Sequence, residues 1–338
     1  MTEQSSRHIP VLLNEVIASL KIQANGIYLD GTFGAGGYTR AILNSAENVK
    51  VIAFDRDPGA IAGGYGLVAD SNGKLTLVEA EFDKLDIEAE ALGFTQFDGI
   101  VLDIGVSSMQ IDEAARGFSF RNDGPLDMRM AQSGTSAADI INEAEEEHLA
   151  NIFYYYGEER LSRRVAKTIL KARTETKITT TKQLSDIIAK VIYAKPNQIH
   201  PSTRVFQALR IAVNDELGQL LRALQAAERI LKPGGVLSVV TFHSLEDRIV
   251  KQFFKNASGK TEGSRFQPTK SADAAVFDIK GKWPVTAGED ELAANPRARS
   301  AKLRSGVRTN APARLTNNDL LELVSLPAIR TDTGKGKR

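Results

Sequence analysis

Asp30-Gly31-Thr32-Phe33-Gly34-Ala35-Gly36-Gly37 is preceded by apolar Ile27-Tyr28-Leu29 and followed by Tyr38-Thr39-Arg40-Ala41-Ile42-Leu43. The segment reads as strand, glycine turn and helix. Glycines such as Gly34, Gly36 and Gly37 remove side chains where a ligand must lie against the backbone, and the start of the helix offers N–H donors that have no partner within it. A second apolar run, Val49 to Phe54, ends in Asp55-Arg56-Asp57-Pro58. That places an acid at the tip of the next strand, about twenty residues after the glycines, where a carboxylate can accept both hydroxyls of a ribose.

Two cofactor classes use this geometry. A dinucleotide requires G-x-G-x-x-G, because its pyrophosphate rests on the helix N-terminus. Counted from Gly34, the third glycine position is Thr39, and an acid at the end of the first strand, Asp30, would face the phosphates and repel them. The same acid suits S-adenosylmethionine, with its ammonium group and positive sulfonium. S-adenosylmethionine is therefore the expected cofactor. A nicotinamide cofactor and a ligand-free glycine turn are the readings it displaces.

Further along, Leu75 to Phe82 reads as a third strand, with Phe82 placed to cover a face of an adenine. Phe97-Asp98-Gly99-Ile100-Val101-Leu102-Asp103 is nearly all apolar, as a strand buried on both faces should be, and ends in Asp103-Ile104-Gly105-Val106-Ser107-Ser108-Met109-Gln110. The texture then becomes helical: an acidic helix from Asp139 to Leu149, a tyrosine run Phe153-Tyr154-Tyr155-Tyr156 expected in a helix-packing core, a basic helix from Glu159 to Arg173, and a helix from Thr181 to Tyr193. The α/β pattern resumes with a cap at His200-Pro201-Ser202-Thr203 and a helix expected to continue to Leu231. That helix presents Arg204 and Arg210 on its polar stripe. A fifth strand, Val236 to Phe242, delivers His243-Ser244 to the carboxyl edge of the sheet.

Composition excludes several classes. The chain has 338 residues, 42% of them apolar and 25% charged, enough for a full core and two domains. No cysteine is present, which rules out disulfides, thiolate zinc sites and cysteine nucleophiles. The four histidines show no metal-ligand spacing with carboxylates, so no metal is expected. Met1 to His8 has no apolar signal core and no run is long enough to span a bilayer, so a cytoplasmic protein without a membrane partner is expected. The net charge of +1 means that any nucleic-acid role must come from local clustering.

Taken together, Asp30 to Gly37, Asp103 to Ser108, Phe153-Tyr-Tyr-Tyr-Gly-Glu-Glu-Arg160, His200-Pro-Ser-Thr-Arg-Val-Phe-Gln-Ala-Leu-Arg-Ile-Ala-Val-Asn-Asp-Glu-Leu217, Thr241-Phe-His-Ser-Leu-Glu-Asp-Arg248 and Asn295-Pro-Arg-Ala-Arg-Ser-Ala-Lys-Leu-Arg304 resemble the bacterial small-subunit ribosomal RNA cytosine-N4 methyltransferases. The resemblance runs from His8 to about Arg314. It implies a class I S-adenosylmethionine-dependent methyltransferase fold, an α/β Rossmann-like seven-stranded sheet interrupted by an all-helical domain. The corresponding divisions are 1–111 and 202–325 for the methyltransferase domain, 112–201 for the helical, substrate-recognising insert, and 326–338 for a flexible tail. It places the donor contacts on Gly36, Gly37, Tyr38, Asp55, Phe82, Asp103 and Gln110, with Tyr38 standing where many relatives carry histidine. It also implies the substrate: one cytidine of 16S rRNA in the decoding region, position 1402 in the usual numbering, in the small subunit or a late assembly intermediate. Dimerisation is left open.

The exocyclic amine of cytosine is a poor nucleophile because its lone pair is delocalised into the ring. A catalyst must aim hydrogen-bond acceptors at the amine protons and hold amine, methyl and sulfur collinear. Asp103 and Ser107, in the turn after the fourth strand, are the candidates, with His243 as a third. The amino-methylating DNA enzymes place prolines and an aromatic in that turn, and both are missing here. For the substrate, Arg297, Arg299, Lys302, Arg304, Arg308 and Arg314 form a stretch without an acid, a pattern expected to meet phosphates. The loop Lys280 to Ala294 is expected to order on the substrate. A DNA amino-methyltransferase and a non-catalytic assembly factor that keeps the fold are the alternatives.

Overall fold

The computed structural model describes residues 10–193, 199–259, 274–279, 281, 283–314 and 320–327. His8, Lys280 and residues 328–338 of the expected tail lie outside the described residues.

The chain divides into two compact units, Met1–Ser107 with Leu217–Leu323 and Ser108–Glu216 with Val324–Arg338. In the first, strands β1 (Ile27–Asp30), β2 (Lys50–Asp55), β3 (Leu75–Glu79), β4 (Phe97–Asp103), β5 (Leu231–Thr241), β6 (Phe277–Asp278) and β7 (Lys302–Arg308) form one sheet in the order β3-β2-β1-β4-β5-β7-β6. The strands from β1 to β5 pair in parallel, and β7 runs antiparallel to both β5 and β6. The chain winds outward from β1 to β3 and restarts at β4 on the other side of β1. The topological switch point therefore lies between β1 and β4, and ligands of open α/β sheets bind outside the carboxyl ends of the strands there. Asp30 and Asp103 occupy those two ends.

Apolar residues make β1 and β4 central. Tyr28, Leu29, Ile100, Val101 and Leu102 have almost no exposure, which fits strands covered on both faces. The covering helices of this unit are α1 (Leu13–Leu20), α2 (Gly37–Ser45), α3 (Pro58–Asp70) and α4 (Leu85–Ala91). The third strand ends sooner than the sequence suggests, and Phe82 opens a 3₁₀ turn, Phe82–Lys84.

The second unit begins with α5 (Ser108–Asp112), followed by α6 (Ala137–Glu143), α7 (Glu146–Asn151), a π-helical turn at Ile152–Tyr156, α8 (Ser162–Glu175), α9 (Thr181–Ala189) and α10 (Thr203–Asn214). Its own core contains Leu126, Ile141, Leu149, Phe153, Val165, Ile169, Leu184, Val205, Phe206 and Leu209. Here α10 departs from the expected division at 201–202. Val205, Phe206, Ala208 and Leu209 pack into the helical core, so the helix belongs to the second unit.

The expected single helix to Leu231 is two helices. Asp215 adopts φ 46°, a left-handed conformation that Asp tolerates better than most residues, and α11 (Glu216–Ile230) starts after it. β5 then begins at Leu231, before the expected Val236. Leu231 pairs with Phe97 and Val236 with Gly99, so Lys232 to Gly235 bulge opposite Asp98, whose carboxylate holds Lys232 Nζ at 2.9 Å. Two further helices, α12 (Ser244–Ala257) and α13 (Glu289–Ala294), belong to the sheet unit. α13 forms inside the segment expected to order on the substrate, and Leu12 N–H donates to Glu291 Oε1 at 2.6 Å.

Candidate active site

The glycine turn is held from within. Gly34 takes φ 53°, and its N–H donates to Asp55 Oδ2 at 2.8 Å, which ties the turn to the end of β2. Asp57 N–H donates to Asp55 Oδ1 at 2.8 Å. Each carboxylate oxygen thus accepts one backbone hydrogen bond and retains a lone pair for a ribose hydroxyl. Burial pushes Asp55 above the ordinary carboxylate range, and the two N–H groups counter that push.

The glycines do not all serve a ligand. A Cβ on Gly37 would collide with the Pro10 ring, and one on Gly36 would lie 2.9 Å from Phe33 Cζ. Those two positions are small because the protein packs onto itself there. Tyr38 corrects the expectation in the same way: its side chain is buried, and its hydroxyl donates to the Val11 carbonyl. What Gly37 and Tyr38 offer a ligand is backbone, at the first turn of α2.

Asp30 also departs from its expected role. It is fully buried, its Oδ1 accepts Thr32 N–H at 3.1 Å and its Oδ2 accepts the Thr39 hydroxyl at 2.7 Å. Thr39, which stands where a dinucleotide fold has its third glycine, is the residue that captures the acid. Burial, opposed by these hydrogen bonds, raises Asp30 to about 6, and the Asp55 charge adds to the rise.

Asp103 is anchored through its backbone, its N–H donating to Thr32 Oγ1 at 2.7 Å. Its Oδ1 is buried without a hydrogen-bond partner among the described residues. Burial, then the charges of Asp30 and Glu246, raise it well above the carboxylate range. Several acids therefore share the ends of β1, β2, β4 and β5, and repulsion between them opposes ionisation. A cation at this place relieves that repulsion, whereas a pyrophosphate increases it. The residues present fit a sulfonium and an ammonium group.

Phe82 is half-buried after β3. Ser107 is half-buried in the turn after β4, where Gly105 at φ 133° lies against the Phe242 ring. Gln110 is buried in α5 of the second unit.

His243 caps α12. Its Nδ1 accepts Glu246 N–H at 3.5 Å, while Glu246 Oε2 accepts the N–H groups of Phe242 and His243 at 2.8 and 3.1 Å. Nε2 lies 2.9 Å from Glu246 Oε1, yet neither atom makes a hydrogen bond of acceptable alignment. Glu246, fully buried, lies within the Thr241 to Arg248 motif but is not among the site residues that the sequence singles out. Its signal is an acid three residues after a cap, the capping-box spacing.

The substrate residues fare differently from one another. Arg304 is buried against Asp247, at 2.8 and 3.2 Å, and over the Trp283 ring at 5.3 Å. Lys302 Nζ lies 3.0 Å from the same carboxylate. Burial alone would raise Asp247, but Arg304 and Lys302 together hold it below the usual range. Arg308 donates to the carbonyls of Glu228 and Ala311, and Arg314 forms a forked pair with Glu228. The acids missing from the local sequence come from α11 and α12, so Lys302, Arg304 and Arg314 are paired internally, and Arg308 is held by carbonyls. Arg297 and Arg299 stay at the surface in a 3₁₀ turn, Pro296–Ser300. In the second unit, Arg210 is committed to Glu216 at 2.7 and 2.8 Å. Arg204 is 44% exposed, 4.0 Å from Glu159.

The sheet order, the switch point and the acid-lined strand ends define a Rossmann-like enzyme fold with a site for a nucleoside-bearing, cationic cofactor. Comparison with known proteins narrows this. Residues 5–308 match the MraW methylase family, and the chain belongs to that family. It is 60% identical over 324 residues to the ribosomal RNA small subunit methyltransferase H of Methylocella silvestris, covering 95% of this chain and 93% of the relative. The protein of the same name from Methylobacterium nodulans is 57% identical over 335 residues, covering 98% of each chain. Among solved structures, an rRNA methylase from Streptococcus thermophilus matches with TM-score 0.39 and 10% identity, over 88% of this chain and 94% of that one.

Proposed function

We propose that this protein transfers a methyl group from S-adenosylmethionine to the exocyclic N4 of a cytidine in the decoding region of 16S rRNA, position 1402 in the usual numbering. The observation that carries the reading is the gathering of Asp30, Asp55 and Asp103 at adjoining strand ends, with Asp103 Oδ1 unpartnered. When bound, the donor supplies an electrophilic methyl on a positive sulfur. Asp55 accepts the ribose hydroxyls, the first turn of α2 lies against the methionine end, and Phe82 covers the adenine. Asp103 meets the cationic end. Asp103 or Ser107 accepts from the amine, which lets the nitrogen pyramidalise as it attacks. The target base must be unstacked to reach them. The substrate is the RNA within the small subunit or a late assembly intermediate, in the cytoplasm. Among the described residues no helix is long and apolar enough to cross a membrane.

The test is nucleoside mass spectrometry after incubating the protein and isotopically labelled donor with small subunits, and with naked RNA, from cells lacking the gene. Labelled N4-methylcytidine is expected. Donor binding without transfer to either would favour an assembly factor or a DNA enzyme. An Asp103→Asn variant assigns that residue: joint loss of donor affinity and turnover places it on the donor, and loss of turnover alone places it on the amine.

A further inference from the structure

The cations between Lys302 and Arg314 are largely consumed by Asp247 and Glu228, but those on α8 are not. The buried side of α8 is Ser162, Val165, Ala166 and Ile169, and its outward side carries Arg163, Arg164, Lys167 and Lys171, all exposed. Arg160, in the turn before the helix, is exposed as well. Arg164, Lys167 and Lys171 follow steps of three and four residues, which align on one helical face, and Arg163 lies one turn from Lys167. None of the five forms an ion pair among the described residues. The other cation of this helix, Arg173, donates instead to the carbonyls of Ile141 and Ala144, at 2.9 and 2.8 Å, and is structural.

The arrangement works against the helix. Arg163 and Arg164 stand in its first turn, which contains no acid, so they oppose the macrodipole. Like charges at i and i+4 add repulsion. In a chain of net charge +1, such a concentration on one face is relieved by a polyanion. Just upstream, Tyr154 and Tyr155 project from the π-helical turn, 53% and 43% exposed, with ring centroids 5.0 Å apart at 85°. The expected packing role for the aromatic run holds for buried Phe153 alone among these three. Exposed aromatics a few residues upstream of unneutralised cations are the equipment for single-stranded RNA, whose bases stack while its phosphates are held.

We propose that the outward face of α8, with Arg160, Arg163, Arg164, Lys167 and Lys171, grips the phosphate backbone of the RNA substrate, and that Tyr154 and Tyr155 stack on its unpaired bases. The proposal rests on the RNA reading above and adds the surface that binds it. The experiment compares full-length wild type with a variant carrying Arg163→Gln, Arg164→Gln, Lys167→Gln and Lys171→Gln, and with Arg297→Gln/Arg299→Gln. Affinity for small subunits is measured over a range of salt, alongside donor affinity and thermal unfolding. Glutamine keeps helix propensity, and Arg164→Glu alone serves as a second probe should the quadruple variant not fold. The expected result is a loss of affinity of at least tenfold, with the slope of log K against log salt reduced by up to about 3, given about 0.7 per single-strand phosphate contact, and donor affinity unchanged. Wild-type affinity and slope in a folded α8 variant overturn the proposal. Should wild type itself neither bind nor methylate RNA, the proposed function fails first and takes this surface with it.

Discussion

Asp30 shows what burial does to a single carboxyl. It is held at about 6 instead of the ordinary 3.8, because loss of solvation outweighs its hydrogen bonds from Thr32 and Thr39. A raised folded-state value means that the native protein binds this proton more tightly than the unfolded chain does. The resulting stability is full below about 3.8 and is lost as pH rises through about 6, a difference of about 3 kcal/mol. Asparagine at this position accepts from Thr32 N–H through its amide oxygen and donates to the Thr39 hydroxyl through its nitrogen. Asp30→Asn is therefore expected to fold and to lose this part of the pH dependence. Urea unfolding at pH 4 and pH 7.5 checks it: the stability gap between variant and wild type should move by most of that difference, about 2 kcal/mol, in the variant's favour at the higher pH. A constant gap would mean that Asp30 does not carry the titration. The sequence shows an acid at a strand end but not where its side chain turns, and here a hydroxyl nine residues on decides that. Asp55 was legible because a turn N–H on either side leaves its carboxylate at the site.

At the level of elements, apolar runs made the strands readable, since a doubly covered sheet leaves little else to choose from. The break at Asp215 was not readable, because one left-handed residue leaves the apolar stripe on either side intact. The basic stretch was misread for a related reason: charge pairing across a fold ignores sequence distance, and Glu228 and Asp247 lie far upstream of their partners. α12 offers a sharper case, because its cap is also a candidate catalyst. His243→Ala removes the acceptor for Glu246 N–H and is expected to cost about 1 kcal/mol. His243→Asn restores a good cap, so its thermal midpoint should return to that of wild type. If capping is the whole role of His243, methyl transfer by the asparagine variant stays within a few-fold of wild type, and this is the expected outcome. A fall of about 100-fold or more at an unchanged midpoint would instead give His243 a proton to move.

For the molecule as a whole, two units with separate cores make a single unfolding free energy an unsafe description. The chain supplies a local reporter, since its one tryptophan, Trp283, sits under Arg304 in the sheet unit. Its fluorescence follows that unit, whereas far-ultraviolet circular dichroism follows helices in both. The donor contacts proposed for Asp55, Phe82 and Asp103 all belong to the sheet unit, so donor binding must stabilise the transition that Trp283 reports. At a hundred times its dissociation constant the donor adds about 2.7 kcal/mol. For a unit of this size that corresponds to a rise of about 5 to 10 °C in the fluorescence midpoint. The product, S-adenosylhomocysteine, lacks the positive sulfur but keeps the ribose and the ammonium group. It should raise the same midpoint, and by less if the acids at the strand ends read the sulfonium charge. An unmoved fluorescence midpoint at saturating donor would show that the strand ends of this sheet do not hold it, and would remove the basis on which Asp55 and Asp103 were assigned.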